Sequence, residues 1–318
     1  MTLIEAVLQF SDEATAEAWF VERRWPDGIR CLKCDSDAVK RRKPSRKTPV
    51  YHCNACKFDF TVKTGTIMHD SKLPLSKWAL AFYLLSTNLK GISSVRMAEY
   101  LGVTQKTAWY LCHRIRETWD DEQEAMAGPV EVDEVYIGGR EKNKHSDKKL
   151  RAGRGSVGKV PVVGIKDRAT NHVVTAPVAS TDKDTLQTFV KERVVPDARV
   201  FTDEHKAYEG LLNHETVRHG AREYVKRYTC HGDGDCPEDE PCIPDLVHSN
   251  GIESHWAVLR RGYYGIYHSM SPKHLGRYAR EFSGRHNQRP LGTAEKMDAM
   301  AVGAVGKRLR YRDLVAGG

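Results

Sequence analysis

The sequence predicts an α+β / α/β protein in which a mixed sheet is flanked by helices and preceded by a small cysteine-bearing module and a run of three helices. Three observations carry that prediction. Strand-like alternation fills VEVDEVYIGG and VPVVGIKDRATNHVVTAPVAS, helical periodicity fills the segments around them, and two CxxC corners stand near the amino terminus. With 318 residues, 40% of them hydrophobic, the chain is long enough for one large domain and one or two small ones.

The amino-terminal stretch 10–28 reads as a short helix with Ser11 as its N-cap and acids in its first turn, stopping at Pro26 and Gly28. The next segment pairs Cys31 with Cys34 and Cys53 with Cys56, the two corners lying 18 residues apart. Four thiolates satisfy Zn²⁺ tetrahedrally, and the alternating stretches VYHC and FDFTV supply a small three-stranded sheet, so residues 29–70 read as a zinc ribbon. Two CxxC pairs in a reducing compartment point to metal rather than disulfides. Between the corners runs KRRKPSRK, whose Lys40, Arg41, Arg42 and Lys43 are candidate nucleic-acid contacts, although a charge run is usually a solvated face.

From about Ser76 the period becomes helical in SKWALAFYLLSTN, SSVRMAEYLG and QKTAWYLCHRIRETW, giving a helical region over 71–126. The last two helices, with Gly102 at the turn and Thr104 as N-cap, fit a helix-turn-helix whose Gln105, Lys106 and Thr107 would enter a major groove. A plain helical hairpin is the competing reading.

Pro129 and Gly128 mark the next boundary, and a sheet domain is expected over 127–290. Three strands in meander order come first, the first two separated by the polar, basic loop GREKNKHSDKKLRAGRGSVGK, too long for a tight hairpin. Then follow a helix in DKDTLQTFVKERV, a strand in ARVFTDE, a helix in HKAYEGLLN and a short strand near HETVRH. Residues 229–246 break the pattern with acids, glycines, prolines and Cys230, Cys236 and Cys242, an inserted loop that, with His231, is either a second metal site or an incidental Cys-rich turn. Helices return in NGIESHWAVLRRGYYG and SPKHLGRYAREFSGRHNQ, and 291–318 reads as a basic helical tail.

The net charge of +8 and a pI near 9.0 bias the partner toward polyanions. No uninterrupted apolar run reaches the roughly 18 residues of a membrane span, and the amino terminus lacks a basic leader, so a bacterial cytoplasmic protein is expected. Three carboxylates stand where strands or a helix hold them: Asp133 in EVDEVYIGG, Asp203 in VFTDEHKAY and Glu253 in HSNGIESHWAVLRRGYYG. Acids dispersed in sequence but framed by regular structure suit a pair of hard divalent cations about 3.5 to 4 Å apart. Each has a plainer reading: a solvated strand residue, a turn former, and, for Glu253, a capping box begun by Asn250. Arg260, two helical turns beyond Glu253 on the same face, favours the site, because its guanidinium would hold a phosphate there. Arg261, Lys273 and Arg277 are further candidate phosphate contacts, as is Arg280, whereas Tyr263, Tyr264 and Tyr267 line a channel or, for at least one of them, the core.

The blocks EVDEVYIGGRE, FTDEHKAY and HSNGIESHWAVLRRGYYGIYHSMSPKHLGRYAREFSGRHN together resemble insertion-sequence transposases of the DDE superfamily, in the group with an N-terminal zinc ribbon that is related to the eukaryotic Merlin elements. The resemblance runs from the ribbon to near the end. It implies a ribonuclease-H-like fold for the sheet domain, with Asp133 on the first strand, Asp203 just after the fourth and the third ligand on a helix beyond the sheet. It also implies strand cleavage at transposon ends and transfer into target DNA with two Mg²⁺ or Mn²⁺ ions, DNA as partner, a nucleoid location, and at least a dimer in the active complex. In such transposases the third position is sometimes asparagine, which leaves Asn250 beside Glu253; the Arg260 spacing favours Glu253. The Cys-rich loop departs from the family pattern. Two rivals share the sequence features: a catalytically inactive DNA-binding regulator, and a nuclease of the same fold that only hydrolyses.

Overall fold

The computed structural model describes residues 1–42, 49–119, 125–139, 141–150, 155–217, 225–227 and 246–316. The chain divides into two compact units, one made of 1–120 with 288–318 and the other of 121–287.

In the first unit, α1 (Leu3–Gln9) opens on a capping box between Thr2 and Glu5, and α2 (Glu13–Arg24) is capped by Asp12, whose carboxylate accepts from the Thr15 N–H. The expected Ser11 cap is therefore one residue early. Its hydroxyl instead donates back to the Leu8 carbonyl, closing α1. The ribbon follows as an antiparallel three-stranded sheet of β1 (Val39–Arg41), β2 (Tyr51–Cys53) and β3 (Asp59–Phe60). Its own core is small: Cys31, Tyr51, Cys53 and Phe60, with Val21 and Trp25 of the preceding segment packed on it.

Three helices come next, α3 (Leu75–Thr87), α4 (Ser94–Leu101) and α5 (Gln105–Arg116). Glu13 reaches over to cap α3, accepting from the Leu75 and Ser76 N–H groups at 2.7 and 3.0 Å. Gly102 ends α4 at φ +57°, a left-handed cap that only glycine adopts cheaply, and Thr104 then caps α5 through the Thr107 N–H. The carboxyl-terminal segment, expected as a basic helical tail, belongs to this unit. Met297, Met300 and Ala301 on one side of its helix join the same core as Trp78, Phe82 and Leu85, because a helix with an apolar stripe has to bury it.

The second unit is built on a five-stranded mixed sheet. Its strands are β4 (Val130–Ile137), β5 (Val160–Asp167), β6 (Val173–Pro177), β7 (Val200–Thr202) and β8 (His214–Thr216), ordered β6-β5-β4-β7-β8. The first three form the expected antiparallel meander, whereas β7 and β8 run parallel to β4. Helix α6 (Lys183–Lys191) makes the crossover to β7, and its Leu186, Phe189 and Val190 pack with Val130 and Val132 on one face of the sheet. The other face packs Val135, Ile137 and Val162 against α7 (Asn250–Gly262) and α8 (Leu275–Asn287). The helix expected in HKAYEGLLN shrinks to one 3₁₀ turn, Lys206–Tyr208, because Gly210 and Asn213 both take positive φ.

A two-residue ladder, β9 (Lys226–Arg227) with β10 (Leu246–Val247), precedes α7. Cys230, His231, Cys236 and Cys242 lie outside the described residues. Beyond α8 the chain forms α9 (Thr293–Val302) and α10 (Tyr311–Val315), both in the first unit. No helix among the described residues is long and apolar enough to cross a membrane.

Candidate active site

β4 alternates, and the alternation sorts its acids. Asp133 shares a face with Val135 and Ile137, toward α7, while Glu134 shares the opposite face with Val130 and Val132. The parallel ladder pairs Val130 with Val200 and Glu131 with Phe201. Continued by two residues, that register sets Asp133 beside Asp203, just past the end of β7, at the usual strand spacing of about 4.8 Å. Asp203 is fixed by its own turn, its carboxylate accepting from the His205 N–H at 3.0 Å and its carbonyl from the Thr202 hydroxyl at 2.7 Å. The turn-forming reading of Asp203 is therefore the one these bonds show.

Across the sheet, Asp133 pairs with Gly164 of β5. A Cβ at Gly164 would stand 2.6 Å from the Trp256 ring and 2.9 Å from Ile252, so the missing side chain is what lets α7 lie down next to Asp133. Glu253 is exposed in the first turn of that helix, with the Ser249 hydroxyl donating to its carboxylate at 3.3 Å. Asn250 is the first helical residue and exposed, and Ser249 holds the N-cap position, so the Asn250 capping box is not the arrangement adopted. Arg260 is exposed on the same face of α7 as Glu253, two turns on.

The electrostatics of this corner are those of crowded acid. Burial pushes the Asp133 carboxyl up to about 7, and the charges of Asp203 and Glu253 push the same way, against the Glu134 N–H, which favours its anion. Glu134 is raised to about 8 by burial first and then by Asp133 and Asp203, and its Oε1 is buried without a hydrogen bond. The phenol of Tyr208, on the turn after Asp203, is raised well above its usual value by burial and by Glu134. The dominant charges felt by Asp133 are thus negative, and a divalent cation is the chemical complement of such a set. The three carboxylates are not drawn together as tightly as the cysteines: among the described residues, only the Cys31, Cys34, Cys53 and Cys56 group has all its ligand atoms within 4.8 Å of one another.

Sequence reading missed Glu131 and Glu134. Glu131 is buried, and it takes the Arg168 Nε–H at 2.8 Å and the Ile252 N–H at 2.9 Å. The available signal was the motif itself: EVDE puts an acid on each face of a strand whose apolar neighbours all demand burial.

In the ribbon the cysteine sulfurs cluster, Cys31 to Cys56 at 3.5 Å and Cys34 to Cys53 at 3.6 Å. Zn–S bonds of about 2.3 Å in a tetrahedron imply sulfurs about 3.8 Å apart, so the quartet fits zinc with little adjustment. The Cys56 N–H points at the Cys53 sulfur and is the largest cause holding that thiol below its usual range.

The expected polyanion contacts separate by environment. Arg41 is committed to the buried Glu17 at 2.6 Å, Arg42 to Asp59 at 3.1 Å and to His52, whereas Lys40 is exposed; Lys43 lies outside the described residues. Gln105 and Lys106 are exposed at the start of α5, Gln105 donating to Ser94 at 2.8 Å and Lys106 lying 5.0 Å above the Tyr311 ring, while the Thr107 hydroxyl pairs with Thr104. Arg261 and Lys273 are exposed and Arg277 half-buried in the second unit. Tyr263 is core, whereas Tyr264 is exposed in the π-helical turn 263–267 that follows α7.

Residues 125–287 match the family model described as the ISXO2-like transposase domain. A relative in Halobacterium salinarum, described as an uncharacterised protein in transposable element ISH50, is 28% identical over 285 residues, covering 87% of this chain and 91% of that protein. No solved structure matches.

Proposed function

The chain belongs to the ISXO2-like transposase family, and from that premise we propose that it cuts DNA strands at the ends of an insertion sequence and joins them to target DNA. Asp133, Asp203 and Glu253 would hold two divalent cations, Mg²⁺ or Mn²⁺, with Asn250 beside Glu253 on the same helical turn. The observation that carries this reading is the register placing Asp133 next to Asp203, with the charge of Glu253 reaching the same carboxyl.

Bound there, the cations would supply Lewis-acid stabilisation of the phosphoryl oxygens and lower the pKa of attacking water. The protein's part is placement. The strand backbone fixes Asp133, the His205 turn fixes Asp203, and Arg260 offers a guanidinium to the phosphate on the face that carries Glu253. Cleavage by water and attack by the freed 3′ hydroxyl are both in-line displacements at phosphorus, so one set of carboxylates serves both steps.

Recognition of the terminal repeats falls to the first unit in this reading. The Gly102 turn and the Thr104 cap present Gln105, Lys106 and Thr107 at the amino end of a helix, the part of a helix-turn-helix that reads base edges. Zinc would hold the ribbon through Cys31, Cys34, Cys53 and Cys56, with Lys40 offered to phosphate, and Arg261, Lys273 and Arg277 would track the backbone near the cut. Bringing two ends together calls for at least a dimer.

The test is a cleavage and joining assay with Mg²⁺ on labelled end DNA, comparing wild type with Asp133→Ala, Asp203→Ala, Asn250→Ala and Glu253→Ala. Joined products that vanish in the Asp133, Asp203 and Glu253 variants are expected. Cut but never joined DNA would identify a nuclease, and binding without cutting would identify a regulator. Activity that survives Glu253→Ala but not Asn250→Ala would move the third ligand to Asn250.

A further inference from the structure

Helix α7 starts without a side-chain cap of its own: Ser249 at the N-cap position makes no bond to the first-turn N–H groups. A buried carboxylate from β4 does that work instead. Glu131 accepts the Ile252 N–H on Oε2 at 2.9 Å, while its Oε1 takes the Arg168 Nε–H at 2.8 Å and lies 3.2 Å from His248 Nδ1. Arg168 in turn spends its other nitrogens on the segment leading into the helix, donating to the Leu246 carbonyl at 2.6 Å and the His248 carbonyl at 2.5 Å. Gly251 completes the fit, since a Cβ there would meet Glu131 Oε2 at 2.7 Å and Lys166 Nζ at 2.6 Å.

Glu131 stands two residues before Asp133 on the same face of the same strand, and Ile252 stands one residue before Glu253. The bond between them therefore ties the candidate third ligand to the strand that carries the first. We propose that Glu131 and Arg168 are positioning residues, which set the depth and rotation of the first turn of α7 so that its acid, or Asn250, faces Asp133. A carboxylate is suited to the place: the first N–H groups of a helix carry partial positive charge, and the guanidinium offsets the cost of burying the anion. The Arg168 fork also fixes the chain from Leu246 to His248, so the helix entry has two anchors rather than one.

This proposal rests on the reading of Asp133 and Glu253 as cation ligands, and its test separates the two. Amide hydrogen exchange of the metal-free protein, compared among wild type, Glu131→Gln and Arg168→Lys, reads the helix entry without reference to activity. Exchange at residues 250–254 should quicken by about tenfold or more in both variants. Mg²⁺ titration of end cleavage then reads positioning: the half-saturating concentration should rise by about tenfold, the scale at which outer-sphere partners act on metal sites, while binding of end DNA in EDTA holds. Unchanged exchange at 250–254 would overturn the anchoring. Faster exchange with an unchanged Mg²⁺ requirement would reduce the pair to a fold-stabilising cap and overturn the positioning role. Wild-type protein inert with every divalent ion would instead overturn the reading on which the proposal rests, while the exchange result still stands.

Discussion

Asp133 on β4 and Asp203, one residue past the end of the neighbouring parallel strand β7, are seventy residues apart in sequence, yet the charge of Asp203 reaches the Asp133 carboxyl. That adjacency is a product of topology. A meander of three strands returns through α6 and lays β7 against the first strand of the meander, on the side left open by β5, so the two acids meet only because the crossover is parallel.

The first prediction concerns those two acids. Asp133→Asn and Asp203→Asn are expected to lower Mg²⁺-dependent cleavage by on the order of 10²- to 10³-fold or more, while leaving end-DNA affinity within about twofold. Single-turnover cleavage and a mobility-shift titration check the two halves. Equal losses in both would mean that the acids support the fold or the DNA contact rather than the chemistry.

A second prediction follows from the raised carboxyls. Asp133 titrates near 7 and Glu134 near 8 in the folded chain, because burial and neighbouring acids disfavour their anions. Unfolded, both would titrate near 4, so between about pH 4 and pH 8 the folded chain binds more protons than the unfolded one. Stability therefore is fully present below that window and is lost as pH rises through it. Thermal melts of metal-free protein should show a Tm that falls from pH 5 to pH 8, with a shallower fall in Asp133→Asn and in Glu134→Gln. A Tm that rises over that range in wild type would contradict the assignment.

The ribbon gives a third. Among the described residues its buried core is Cys31, Tyr51, Cys53 and Phe60, a small core for three short strands without a cross-link. One zinc per chain is expected by elemental analysis, and Cys34→Ser should release it and abolish the near-ultraviolet dichroism of the Trp25, Tyr51 and Phe60 cluster. Zinc content unchanged in Cys34→Ser would show that the quartet is not the site.

The basic segment between the corners holds residues in different environments, and a fourth prediction separates them. Arg41 neutralises the buried Glu17, which also takes the Tyr51 hydroxyl at 2.8 Å. Arg41→Ala should cost about 1 to 2 kcal/mol of stability, a figure discounted because the guanidinium is half exposed. Lys40→Ala should leave the melt unchanged and instead flatten the salt dependence of DNA binding by about one phosphate contact. Melts and salt titrations of the two variants should therefore move in opposite columns.

Much of this architecture was legible because periodicity is a direct consequence of burial. The helices over Leu75–Thr87 and Gln105–Arg116, the three-strand meander and the strand before Asp203 all follow from apolar spacing. The Gly102 turn and Thr104 cap were legible for the same local reason: left-handed φ and a first-turn N–H each call for a small set of residue types. What sequence left hidden was long-range. Glu131 reads as one more acid until Ile252, 121 residues on, brings its N–H to it, and Gly164 reads as a flaw in a strand until Trp256 fills the space. The last helices gave no sign that they belong with the first, since an apolar stripe announces burial but not the partner.

Gly164 supports the last prediction. It faces Asp133 across the ladder, and the Trp256 ring and Ile252 occupy the volume in which its side chain would lie. Trp256 is almost fully buried in the core that joins α7 to the sheet, and strand backbone on both sides prevents β5 from retreating, so an added methyl group has to lift the helix instead. Gly164→Ala is expected to cost about 1 to 3 kcal/mol, the usual range for overpacking. Gly164→Ala with Trp256→Phe should recover part of that stability, because the smaller ring vacates the space. The two variants should nonetheless part company in cleavage: the single substitution displaces Glu253 from Asp133 and should lose activity beyond its loss of folded protein, whereas the pair restores the seat of α7 and with it part of the rate. Melts and single-turnover cleavage of both proteins decide the matter, and a single variant whose activity tracks its folded fraction would show that α7 sits over Asp133 without serving it.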